Sequence, residues 1–157
     1  MREQTTVVFR ITSATLTAAD IQARIGLAPD ETWKLGDKRG PFAVTEKKHG
    51  FVLESKAFAT STFDEHLQAM LKRLAPAAQK IGAIAPQCDI ELLCGLHRKR
   101  FPALRFARDD LRLLGVMGAR LDVDLFLVEE PAAPRRGAGA PTAGLPADPP
   151  GSGASGP

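Results

Sequence analysis

Tyrosine is missing from this sequence, tryptophan occurs once, at Trp33, and cysteine twice, at Cys88 and Cys94. So thin a supply of aromatics argues against a base-stacking platform for nucleic acid. Charge argues the same way, because a formal net charge of +3 over 157 residues is far from the concentrated positive face of a nucleic-acid binder. Scarce cysteine removes further classes. In one strand, at about 3.3 Å per residue, the two thiols stand roughly 20 Å apart, beyond the ~7 Å reach of a disulfide. Nor does their spacing fit a zinc site, so no metal and no cofactor is expected. No apolar run approaches the length of a membrane span, and Met1-Arg2-Glu3-Gln4 carries no apolar signal core. Unpaired thiols fit a reducing compartment, which makes the cytoplasm the expected location, with no membrane association.

Catalytic signatures are equally sparse. The sequence holds no G-x-S-x-G elbow and no H-E-x-x-H, and residues 1–130 hold no phosphate-cradling glycine loop. The three histidines, His49, His66 and His97, are dispersed, with no two at the spacing of one helical turn. Cys88 and Cys94 read as buried strand residues rather than nucleophiles. Enzymatic activity is therefore not the leading expectation.

What is present is an ordinary globular composition, 44% hydrophobic and 25% charged, followed by a change of character near Pro131. Residues 131–157 are almost entirely Pro, Gly and Ala, with too little apolar surface to offset chain entropy. They read as a disordered tail behind a single domain over residues 1–130.

Within that domain, Thr5–Thr12 alternates as a strand. Thr17 with Asp20 forms a capping-box pattern, Leu16 can staple onto Ile21, and Gly26 stops the helix they start. Leu27–Pro41 reads as a long loop, followed by a hairpin of Phe42–Glu46 and Gly50–Ser55 with His49 near its turn. Thr62 and Glu65 open a second helix whose Phe63, Leu67, Met70, Leu71 and Leu74 form one apolar stripe, and Pro76–Ile84 gives a shorter one. Then come a strand at Cys88–Cys94, a basic connection at His97–Arg100 and a short extended piece at Ala103–Phe106. A helix at Asp109–Met117 and a strand at Leu121–Val128 complete the pattern. The predicted order is β-α-β-β-α-(α)-β-β-α-β. It implies an α+β fold with a mixed or antiparallel sheet and helices mainly on one face.

Several segments together resemble a known bacterial family. They are Phe9-Arg10-Ile11, Leu16–Ile21, Ile25–Asp30, Trp33-Lys34-Leu35-Gly36-Asp37, His49–Ser55, Phe63–Leu67 and Leu121–Phe126. Over roughly residues 7–127 the chain is similar to the domain-of-unknown-function family numbered 4279. The resemblance implies a compact α+β domain and brings no catalytic residue with it.

Two surfaces stand out as candidates. In the loop, Asp30, Trp33, Gly36 and Asp37 place carboxylates beside a large amphipathic ring, as a ligand or partner site would. The blander account makes Trp33 a lid on one end of the core and gives the aspartates to turns. The second candidate is the basic run Arg98, Lys99 and Arg100, with Arg105, Arg108 and Arg112 following. Such a run can contact phosphates or an acidic protein, or serve only as a solvated connection. Asp122 and Asp124 share a strand face and could hold a cation, although an amphipathic strand explains them more simply. The leading expectation is a non-enzymatic module that binds an unidentified protein, such as an immunity or accessory protein. The alternative is a small-ligand or enzymatic role centred on Trp33–Asp37.

Overall fold

Alternation makes β1 (Gln4–Ser13) two-faced: Val7, Phe9 and Ile11 point to one side, and Thr6, Val8, Arg10 and Thr12 to the other. The computed structural model describes residues 2–128, so the tail expected over 131–157 lies outside the described residues. Five strands form a mixed sheet in the order β2-β5-β1-β6-β7, built from β1, β2 (Glu31–Trp33), β5 (His49–Glu54), β6 (Asp89–Arg98) and β7 (Arg120–Leu127). Only the β6–β7 pairing is parallel. A parallel neighbour needs a crossover, which α4 (Arg108–Met117) supplies.

The remaining helices are α1 (Ala18–Ile25), α2 (Phe63–Leu74) and α3 (Ala78–Ile84). Both expected capping boxes form, Thr17 with Asp20 and Thr62 with Glu65. The apolar stripe of α2 is buried against the sheet, with Leu67, Met70 and Leu74 fully covered beside Phe9, Phe51 and Leu92. Helices α3 and α4 cross closely enough that a β-carbon on Gly82 would lie 2.3 Å from the Val116 carbonyl oxygen. All helices contribute to this one core, so they cover a single face of the sheet. The α+β class and the one-sided helical layer match the sequence-based expectation.

Three local expectations need correction. The hairpin of Phe42–Glu46 with Gly50–Ser55 does not form. A tight β3 (Lys38–Arg39) to β4 (Val44–Thr45) hairpin takes its place, while both edges of β5 are occupied by β1 and β2. The loop Leu27–Pro41 thus contains two short strands, and His49 opens β5 rather than sitting at a turn. The extended piece at Ala103–Phe106 pairs with nothing, because β6 already has β1 on one side and β7 on the other. Its alternation has another cause: Leu104 and Phe106 pack down onto the core, with Phe106 edge-on to Phe63 at 5.7 Å. Finally, the strand drawn from Cys88 to Cys94 runs from Asp89 to Arg98. It takes His97 out of the basic connection and stacks it on Phe126, ring centroids 4.7 Å apart.

Candidate functional site

Trp33 is buried, 7% exposed, yet it lies across the sheet from the helices. It pairs with Gly50, on the strand face that also carries Arg10 and Thr12. It is a lid on the open face of the sheet, not on the helical core. Its indole N–H donates to the Lys48 carbonyl at 3.0 Å, and the Arg39 guanidinium rests 3.8 Å above the ring. Gly36, at φ +93°, donates its N–H to the Glu46 carbonyl and turns the chain into β3. Asp37 accepts the Lys34 N–H at 2.8 Å, closing that turn.

Asp30 is drawn elsewhere. It accepts from Arg73 at 2.6 Å, from Lys56, and from the Glu54 N–H at 2.8 Å. Partial burial raises the pKa of its carboxyl, but those three donors outweigh it and hold the group well below the usual carboxylate range. The four residues are therefore not convergent. Trp33 faces the open side of the sheet, Gly36 and Asp37 shape a turn, and Asp30 ties β2 to α2.

The open face carries a row of charges across the strands. Arg10 pairs with Glu91, Glu91 with Arg120, and Arg120 with Asp122, while Arg39 bridges Glu31 and Glu46 and Lys48 meets Asp89. Asp122 is thus committed to Arg120 rather than to Asp124. A groove of about 390 Å³ lies between this face and β4, bordered by Arg10, Trp33, Arg39, Glu46, Lys47 and Lys48. Most of its cations already have carboxylate partners.

The other candidate run occupies a different place. Arg98 closes β6 and points to the helical side, where its guanidinium donates to the Thr5 hydroxyl and to the His97 carbonyl, neither of them a carboxylate. Lys99 gives its backbone N–H to Glu3, and Arg100 is exposed. Together with Arg105, Arg98 lines a groove of about 580 Å³ between the start of α2 and residues 102–105, with Thr62, Phe63, Asp64 and Leu96 as its other main borders. Arg100, Arg105 and Arg108 make no ion pair with any described residue. Two large apolar side chains stand in solvent at this end of the sheet: Phe58, 84% exposed, and Phe101, 67% exposed. Sequence reading passed over both. The signal was a phenylalanine between alanines and another between Arg100 and Pro102, each outside any periodic apolar pattern.

Sequence reading also missed a Ser–His pair. Ser55 Oγ and His66 Nδ1 are hydrogen-bonded at 2.5 Å beside a cavity of about 220 Å³. Among the described residues, His66 Nε2 is buried without a partner and no carboxylate orients the ring. The Ser55 N–H is spent on Val7, so it is no oxyanion donor. The pair ties the end of β5 to α2. Cys94 is inert for a different reason: burial, reinforced by Asp122, pushes its thiol up to about 12. Cys88 is only half-buried, and desolvation raises its thiol as well.

An α+β domain with one face of its sheet open is what these elements define. The chain belongs to the family described as Domain of unknown function (DUF4279), which matches residues 3–127. No curated protein and no solved structure is measurably similar to it.

Proposed function

We propose that this domain is a non-enzymatic binding module that engages another protein through the end of the sheet where Phe58, Phe101 and the Arg98–Arg105 groove lie. The carrying observation is the exposure of those two phenyl groups, 84% and 67% respectively, in segments that adjoin the walls of a groove of about 580 Å³. Large apolar groups flanking a groove are how protein surfaces supply contact energy. Immunity or accessory roles are of this kind, because they require surface complementarity and no chemistry.

A photo-crosslinking residue placed at Phe58 or Phe101, in cells of the source organism, tests this. Both positions should capture the same protein, and Gln22 on α1 should not. Absence of a shared adduct, or equal capture from Gln22, would sink the reading.

One observation favours a second reading, a small ligand in the 390 Å³ groove beside Trp33. Trp33 emission separates the two. A ligand seated there shifts it, whereas a partner at the far end of the sheet does not.

A further inference from the structure

The cations of the open face and those of residues 98–108 differ in their partners. On the open face Arg10, Arg39, Lys48 and Arg120 each meet a carboxylate. Across residues 98–108 the sequence carries Arg98, Lys99, Arg100, Arg105 and Arg108 and not one acidic residue. Four of those five, all but Lys99, have no carboxylate partner among the described residues. Glu3, which accepts the Lys99 N–H, offsets only part of this run, and an excess of like charge raises the local potential and attracts an anionic surface. Among the described residues, the only carboxylate bordering the groove is Asp64, against the two guanidinium groups of Arg98 and Arg105.

Apolar exposure accompanies this charge. Phe101 adjoins Pro102 on the groove wall, and Phe58 lies in the loop that leads into Thr62 at its other wall. A bare polyanion would leave both phenyl groups in water. A nucleic acid would want aromatic platforms across a broad face, whereas here two phenyl groups stand in the segments that adjoin the groove walls. Acidic side chains interleaved with apolar ones satisfy both features at once.

Building on the binding reading above, we propose that the groove between the start of α2 and residues 102–105 receives an acidic segment of a partner protein. Its carboxylates meet Arg98 and Arg105, and its apolar side chains meet Phe58 and Phe101. Exchange of charge across such a contact sets specificity and encounter rate more than raw affinity.

The test uses the full chain, labelled for amide NMR, and three probes of matched length: a glutamate–leucine peptide, its lysine–leucine counterpart and oligo-dT. The glutamate–leucine peptide should shift amides of residues 62–64 and 98–105, and binding should weaken as salt shortens the screening length. Arg98→Glu and Arg105→Glu should each lower affinity by about fivefold or more. Arg105 is exposed, so its reversal leaves the fold intact even if reversal of Arg98 disturbs Thr5. Arg24→Glu, the same charge change on α1, should stay within about twofold of the parent.

Equal binding of the lysine peptide, equal binding of oligo-dT, or shifts centred on Arg10 and Arg120 would each overturn the proposal. So would binding that appears only after Glu129→Gln with Glu130→Gln, which would assign the groove to the chain's own following segment. If crosslinks from Phe58 and Phe101 find a partner while the glutamate–leucine peptide fails, the binding reading stands and its acidic chemistry falls.

Discussion

Replacing Gly50 with alanine should expel Trp33 from its seat. A β-carbon there would lie 2.0 Å from Cε2 of the indole, against an ordinary carbon contact of about 3.5–4.0 Å. The ring must retreat by about half its own width or the strands must part. Retreat breaks the N–H bond to the Lys48 carbonyl, about 1 kcal/mol, and the stack under Arg39, about 0.5–1 kcal/mol. It also wets part of an indole now 7% exposed, about 1.5–3 kcal/mol. Alanine is worth roughly 0.5–1 kcal/mol more than glycine inside a strand, which offsets some of this. Gly50→Ala should therefore destabilise by about 2–4 kcal/mol, close to the range for overpacking. With Trp33→Ala already in place, the same change should be neutral or slightly stabilising. The assay is urea unfolding of the four proteins of that double-mutant cycle by circular dichroism, with Trp33 emission and iodide quenching on the two that keep the ring. A coupling of about 3 kcal/mol and a red-shifted, quenchable Trp33 in Gly50→Ala are expected. A coupling within about 0.5 kcal/mol of zero would refute the seat.

Met70→Ala and Leu74→Ala, at fully buried positions, should each cost about 2–5 kcal/mol in the same denaturation assay, and a loss under about 0.5 kcal/mol would contradict their place in the core. Asp30→Asn should destabilise by about 1–3 kcal/mol at neutral pH, since two cations and an N–H lose a charged acceptor. Because the folded carboxyl titrates below its unfolded value, its contribution is complete above about pH 4 and fades as pH falls toward the folded pKa. The asparagine variant should accordingly lose part of the parent's acid sensitivity, and an unchanged pH profile would count against the Asp30 network. Ellman's reagent at pH 8 should leave Cys94 unlabelled and react slowly with half-buried Cys88 until denaturant is added; free-thiol rates at Cys94 would show that it is not buried.

Local signals were legible wherever the chain itself contains both partners. Capping boxes at Thr17–Asp20 and Thr62–Glu65 lie within one helical turn, and the stripe from Phe63 to Leu74 needs only periodicity. What escaped reading depends on distant partners. Residues 104 and 106 alternate like a strand because they face the core, and only the sheet order shows that both sides of the preceding strand, β6, are taken. The lid account reads Trp33 as buried, as it is, but which side of the sheet it covers follows from its register with Gly50. Asp30 gave no hint of Arg73, which is 43 residues further on. The basic run was visible as composition; that Arg98, Arg100, Arg105 and Arg108 meet no carboxylate among the described residues, while Arg10, Arg39, Lys48 and Arg120 do, is a property of the folded surface alone.

The place of β1 in the middle of the sheet has a consequence for how the chain is made. Its outermost pairing joins Gln4 to His97, so this strand waits for a part of the domain about ninety residues further on before its second edge is filled. At about 5–20 residues per second, that interval is roughly 5–20 s on the ribosome. During it Val7, Phe9 and Ile11 have no finished core to enter, and the local helix α1 can shield only some of them. Pairings of such long sequence separation also slow refolding of the released chain relative to helical domains of its size. A nascent chain stalled before residue 89 would hold β1, β2 and β5 with one unfilled central edge. Such a fragment would be a substrate for chaperones rather than a smaller version of the domain.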